Sequence, residues 1–526
     1  MIKFLRIPDF AKAGLNSDLM PWDLPGSFLT DIKNVRISRN KLSPFGGFSK
    51  WTDLPVDFDP GYLMHVGSVS GEYWLIAGQD KVLSWDAATI SDVSNPLGYP
   101  GSLNQDDWSG CMLSNIPILN NPGWYPEFWS PPNPGSTMTL LPWDSGSTWQ
   151  DAGESCKIMR SHKQFLFAMD LLTGGQEITD GVRWSAPADV NGVPPTWDPL
   201  DTTNFAGFVT LGGAGGKIID GYSLRDAFCI YREGGISIFD YVGGQFVWQI
   251  RHLSDTVGLV SKDALVEIKG SHFLIGDGDV LVNDGNSIRS LMHNRIRQRF
   301  VSDYDADNFA NSYAVRNNAA SEVWFCVPES GEVYPTLAYI YNWKDDTWSI
   351  RDLPRTPHAN YGSQSSPPIT WDNIGGTWDT VPGPWDARQL TPFDDTIVGI
   401  TKPEEAGESG SLVLLDKGAT GIDTPFNTSI ERVGFALEGL NEVTTITRIY
   451  PHMAGPSPVN IRIGSQEHPG APVRWKAPIA FNPETDRKID IRTTGELHCF
   501  RISANNVTST WDISGMDIEY VESGRR

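Results

Sequence analysis

Asp303, Asp305, Asp307 and Asn308 form a DxDxDN run, the spacing with which a calcium loop begins. Such a loop needs a bidentate acid eleven residues after the first Asp and a glycine at its sixth position. Ala314 and Asn308 stand there, so the run reads as an acidic turn before a strand. Gly212-Gly213-Ala214-Gly215-Gly216-Lys217 has the spacing of a phosphate loop, but Ile218 follows where a Ser or Thr must hold magnesium, and no helical pattern comes after it. It reads as a flexible loop between repeats. The nine histidines include no pair at i, i+4 and no HExxH or HxH arrangement, which leaves structural or surface roles. Carboxylates are abundant and tryptophans could stack on sugar rings, but a pair for glycoside hydrolysis needs a separation that sequence does not set. The residues assign no catalytic, cofactor-binding or metal-binding position, and the chain is expected not to be an enzyme.

The elements that would position any site follow a repeat. Short aromatic and apolar runs recur: Tyr73-Trp74-Leu75-Ile76-Ala77, Ile116-Pro117-Ile118-Leu119, Phe165-Leu166-Phe167-Ala168, Phe228-Cys229-Ile230-Tyr231, Phe273-Leu274-Ile275-Gly276 and Trp324-Phe325-Cys326-Val327. Anchored on Trp74, Ile118, Phe165, Phe228, Phe273 and Trp324, the intervals are 44, 47, 63, 45 and 51 residues. A propeller blade takes about 40 to 50 residues. Continuous apolar runs suit strands buried on both faces. Several runs turn straight back, through Gly78-Gln79-Asp80, Arg232-Glu233-Gly234-Gly235 and Asp277-Gly278-Asp279, where glycine is expected to supply positive φ. A sandwich with regular hairpins is the alternative, and the near-regular intervals favour the propeller.

The flanks differ. Residues 1–55 read as an extended, turn-rich arm with a strand-like Asn34-Val35-Arg36-Ile37, and an N-terminal strand is expected to close the ring within the last blade. Residues 56–425 are expected to form an all-β propeller of about six to eight blades. Within it, residues 360–390 carry Trp371-Asp372, Trp378-Asp379 and Trp385-Asp386 among Pro and Gly that exclude a heptad helix, and read as a surface loop. Residues 426–526 alternate as half-exposed strands do, in Val459-Asn460-Ile461-Arg462-Ile463 and Lys488-Ile489-Asp490-Ile491-Arg492, and read as a C-terminal β-sandwich.

Composition agrees with many short strands: 526 residues hold 52 Gly, 37 Pro and 20 Trp. The formal charge of −23 argues against a phosphate-binding surface overall. Cys111, Cys156, Cys229, Cys326 and Cys499 are far apart, without a CxxC pair, and read as free, mostly buried thiols of a reducing cytoplasm. No signal-peptide or membrane-span pattern is read in the chain.

With these residues in place, the chain resembles the tail nozzle, or tail-tube-B-like, proteins of short-tailed, podovirus-type bacteriophages. The resemblance lies in Gly14-Leu15-Asn16-Ser17-Asp18, Leu24-Pro25-Gly26, Asp31-Ile32-Lys33-Asn34-Val35-Arg36, Val182-Arg183-Trp184-Ser185, Pro195-Thr196-Trp197 and Ile230-Tyr231-Arg232-Glu233-Gly234-Gly235-Ile236. It continues in Glu322-Val323-Trp324-Phe325, Trp511-Asp512-Ile513-Ser514-Gly515 and Gly524-Arg525-Arg526. It implies a structural virion protein made in the host cytoplasm: a six-fold homo-oligomeric ring below the portal adaptor, contacting tail fibres or spikes and meeting the host surface. The ring would close the channel and then conduct double-stranded DNA, and an acidic lumen would let DNA pass without adhering. A receptor-binding or polysaccharide-degrading tail spike, and a propeller interaction scaffold, are the alternatives.

Overall fold

The computed structural model describes residues 2–9, 12–68, 71–190, 192–200, 203–244, 246–363, 395–402, 408–418, 426–504 and 510–525. Among the described residues, seven four-stranded antiparallel sheets form the propeller. Their innermost strands are Pro60–Ser68, Ser109–Leu113, Ser155–His162, Ile218–Leu224, Leu265–Ile268, Tyr313–Asn317 and Ala359–Ser363. Each packs beside the next and the last returns to the first, which closes the ring. All six sequence anchors lie on the second strand of blades one to six, where side chains meet neighbouring blades on both faces; Glu322–Val327 is buried along its whole length. Blade seven is Ala359–Ser363, Asp395–Thr401 and Ser411–Leu415, completed on its outer edge by Phe48–Asp53 from the start of the chain. That strand makes the expected closure. Trp51 on it stacks edge-on against Trp74 and Trp85 of blade one, at 6.2 and 5.9 Å between ring centroids.

The 63-residue interval at blade three has a packing cause. Its second and third strands, Phe165–Thr173 and Gln176–Trp184, are long, and the following loop carries Trp197 into the interior. There Trp197 meets Trp149, which meets Trp143, at 4.9 and 5.0 Å, so three indoles fill the space between blades two and three. Of the three tight returns, only Asp277-Gly278-Asp279 uses positive φ, at Gly278 (+63°). At Gly78 the constraint is space: a Cβ would stand 2.6 Å from the Phe58 ring. At Gly235 it would stand 3.3 Å from the Ser254 carbonyl oxygen.

The sandwich consists of two six-stranded sheets built from both chain ends. One holds Ile489–Gly495, Glu442–Ala454 and Asp512–Arg525, with Ile2–Pro8 and the hairpin Val35–Ser38/Lys41–Pro44 against the far side of Asp512–Arg525. The other holds Asp31–Lys33, Thr428–Phe435, Leu497–Ala504 and Val459–Gln466, with Arg474–Trp475 and Ile479–Phe481 on the edge. The alternation read in 459–463 is observed: Val459, Ile461 and Ile463 are buried and Asn460 and Arg462 face outward. Most of residues 1–55 is therefore woven into the sandwich and the last blade. Residues 360–363 belong to the inner strand of blade seven, and the Trp-Asp repeats at 371, 378 and 385 lie outside the described residues.

The sandwich sits on the outer strand of blade six, Thr347–Asp352. Asn34 donates to the Asp352 carboxylate (3.0 Å) and accepts from its backbone N–H (2.8 Å). Arg36 makes a two-pronged pair with Glu322, at 2.6 and 3.0 Å, and reaches Asp416 of blade seven at 2.5 Å. The Arg351 guanidinium is fully buried among the rings of Phe45, Phe48, Trp324 and Phe426.

Candidate functional site

All seven blades contribute to a polar cluster on the propeller axis. Arg160, in the inner strand of blade three, binds Asp220 of blade four through Nε (2.8 Å) and Nη2 (2.7 Å). Nη2 also reaches Asp263 at the entry to blade five (2.7 Å), and Nη1 donates to the Gly110 carbonyl of blade two (2.5 Å). Tyr222 donates to the same Asp263 oxygen (3.1 Å), and its ring lies 5.0 Å under the guanidinium. His358, entering blade seven, packs between Tyr62 of blade one and Tyr313 of blade six, with ring centroids 4.5 and 5.5 Å away. Burial alone would make Arg160 easier to deprotonate, but the Asp220 and Asp263 carboxylates reverse the sign and hold it charged. For Asp263, burial pushes upward, and the Arg160 guanidinium, with the Lys262 ammonium, brings the carboxyl below its usual range.

His358 is held neutral. The Leu63 backbone N–H donates to its Nδ1 (3.3 Å), so the ring proton sits on Nε2, facing Asp263 Oδ2 at 3.8 Å. Burial lowers its pKa to about 4. Burial lowers the Lys262 ammonium to about 8, and Lys262 donates to the carbonyls of Asp106 and Trp108. Lys402 lies 3.1 Å from Asp59 and 3.2 Å from Asp106, beside the Tyr334 ring. A cavity of about 40 Å³ remains, lined by Tyr62, Lys262, Asp263, Ser312, Tyr334 and His358 among others. Its size and polar lining suit a water-sized guest. The carboxylates are engaged by Arg160 and the imidazole by a backbone donor, so the cluster works as a bolt joining blades, and duplex DNA cannot thread the propeller.

The segments singled out for chemistry lie elsewhere. In the DxDxDN run, Asp305 Oδ1 accepts the backbone N–H groups of Asp307 and Asn308, both at 2.9 Å, and Oδ2 accepts that of Gly331 (2.8 Å). Asp303 binds Tyr339 OH at 2.6 Å. The run is a capped acidic turn, with the Asp303 and Asp305 carboxylates engaged by nearby donors. The 212–217 loop joins blades three and four with the opposite polarity to a phosphate cradle: the carbonyls of Gly212 and Gly216 accept from Arg232, at 2.7 and 2.9 Å. That contact pins a segment read as flexible. His162, His272 and His498 are buried and, like His358, lowered to about 4 by burial. Burial raises the Cys111, Cys229, Cys326 and Cys499 thiols to about 12, and Cys156 further. Among the described residues one acidic triad, Glu438, Glu442 and Glu522, has metal-like spacing, and the Lys3 ammonium already pairs with Glu438 and Glu522. Among the described residues no helix is long and apolar enough to cross a membrane.

The axial residues were not legible in the sequence. A charge inside an apolar strand, as in Ile158-Met159-Arg160 or Ile218-Ile219-Asp220, signals a paired group. Its partners, however, lie 60 and 103 residues away on other blades.

No family model matches the chain, and no curated protein matches it. Among solved structures, the WD40 domain of Neurospora crassa Pan2 is similar at 7% identity and a TM-score of 0.36, over 70% of this chain and 95% of that one. The AfRom2 CNH domain gives 7% and 0.36, over 70% and 99%. The exo-β-1,3-galactanase from Phanerochaete chrysosporium, solved with galactose, gives 8% and 0.27, over 90% and 100%.

Proposed function

We propose that this chain is a structural, non-catalytic virion protein: the nozzle subunit of a short phage tail, acting in a six-fold ring that conducts DNA between subunits. The observation that carries this reading is where the segments of the resemblance lie, since most are joints between parts of the molecule. The backbone N–H groups of Ser17 and Asp18 bind the Arg295 carbonyl, and the Asp18 carboxylate caps Arg297 and Gln298 at the start of a short helix. Pro21 and Leu24 present carbonyls to Arg432 of the sandwich. Asn34 and Arg36 join sandwich to blades six and seven, Trp197 fills the space between blades two and three, and Trp511 lies in the sandwich core. Residues placed this way suit a part that bears load within an assembly. A bolted axis fits as well, because it leaves the space between subunits as the DNA path. Imaging of assembled tails tests the reading. A ring of this fold below the adaptor is expected, and a monomer on the flank of the particle, or glycan hydrolysis lost on changing one carboxylate, would refute it.

A further inference from the structure

We infer that the subunits of this ring join through two opposite flanks: an arginine-tryptophan face of the sandwich on one copy docks on the acidic, apolar rim of blade three on the next. The inference rests on the ring reading above and names its interface.

Charge is unevenly divided along the chain. From residue 426 onward there are eleven Lys and Arg against twelve Asp and Glu, so nearly all of the net −23 falls on the preceding residues. On the outer face of the sandwich, Arg462 and Arg501 are direct cross-strand partners. Like charges so placed repel. Trp475 lies against both guanidinium groups, at 5.7 and 5.3 Å, and exposed Lys476 and Arg474 flank it. Glu431 pairs with Arg501 and Glu467 with Arg474, whereas the Arg462 guanidinium has, among the described residues, only the Lys476 carbonyl as a hydrogen-bond acceptor. This face carries positive charge in excess of its own carboxylates, on a half-buried aromatic platform of the kind that anchors interfaces.

Blade three offers the complement. Its outer strand and the loop leading into it expose Val190 (80%), Leu200 (87%), Phe205 (45%) and Phe208 (38%). Exposed Glu177 and Asp189 belong to the same blade and loop. Contiguous apolar surface marks interaction sites, and these four side chains share one outer strand and the loop leading into it. The sandwich sits on blade six, and blade three is three places away in a ring of seven, on the far side of the disc. Two complementary patches on opposite flanks give a heterologous, head-to-tail contact, the kind that builds closed rings. A second copy is the occupant because the acidic charge that Arg462 lacks is carried by this same chain.

The test is sedimentation equilibrium of the full chain over a range of concentration and salt, with three variants. Arg462→Gln with Lys476→Glu, and separately Glu177→Lys with Asp189→Lys, are expected to weaken self-association about tenfold or more. Arg462→Glu, Lys476→Glu, Glu177→Lys and Asp189→Lys combined are expected to recover much of it, and added salt to weaken the unaltered protein. Unchanged melting temperatures show that the variants fold. If the unaltered chain associates and the paired variants do so equally well, the two surfaces are wrong and the ring stands. A chain that stays monomeric at every concentration removes both. Retention of duplex DNA that is lost in the Arg462 and Lys476 variant, with self-association unchanged, assigns the face to nucleic acid and overturns the inference.

Discussion

At the scale of single residues, the interior uses ionisable groups as fasteners, and their burial makes stability depend on pH in a definite sense. Glu127, fully buried between blades one and two, accepts from Tyr99 OH (2.6 Å) and Asn95 Nδ2 (3.3 Å). Burial raises its carboxyl to about 7, against the pull of those donors. The folded state therefore binds more protons than the unfolded one between pH 4.5 and 7, so the benefit is complete below the ordinary carboxylate range and lost as pH rises through 7. Glu127→Gln is expected to remove about 3 kcal/mol of that pH dependence, read from urea unfolding at pH 5 and pH 8. Arg36 works differently, because Glu322 is buried and also accepts from Trp324 Nε1 (3.1 Å). Arg36→Met leaves that carboxylate without its cation and is expected to cost about 3–5 kcal/mol. Adding Glu322→Gln should return part of this in a double-mutant cycle, whereas additive losses would show that the two act independently.

At the scale of elements, the important strand is one that the chain makes early and uses late. Phe48–Asp53 completes blade seven and, through Trp51, packs on blade one, so first and last blades are held by a ladder and an aromatic cluster. Trp51→Ala is expected to cost about 2–3 kcal/mol. The loss should be local first: hydrogen exchange should speed up in 48–53 and 411–415 while blades three and four keep their protection. Uniform loss of protection would mean that the ring opens as one unit.

For the whole molecule, the proposed nozzle reading puts the channel outside the bolted axis of each subunit. Arg160, Asp220, Asp263, Tyr222 and His358 span the space between inner strands, so a map of a tail with DNA in transit is expected to show the duplex outside every propeller axis. Density for a duplex along a propeller axis would refute the arrangement. Under the proposed nozzle reading the acidic balance belongs to this scale too, since a negative wall offers few Lys or Arg to displace the counter-ions of the phosphates.

The sequence by itself determined the repeated strands. Trp74, Ile118, Phe165, Phe228, Phe273 and Trp324 mark second strands, because burial on both faces is a property of a few consecutive residues. The alternation of 459–463 was legible for the same local reason. Tertiary structure alone decided the seventh blade, the sandwich membership of Ile2–Pro8 and the axial bolt. The fourth strand of blade seven comes from residues 48–53, Ile2–Pro8 pairs with the far end of the chain, and Arg160 meets carboxylates on blades that follow it. Each contact joins residues that are remote along the chain, and periodicity reports only what neighbours share. Whether a charge or a strand edge finds its partner is settled when the ring closes.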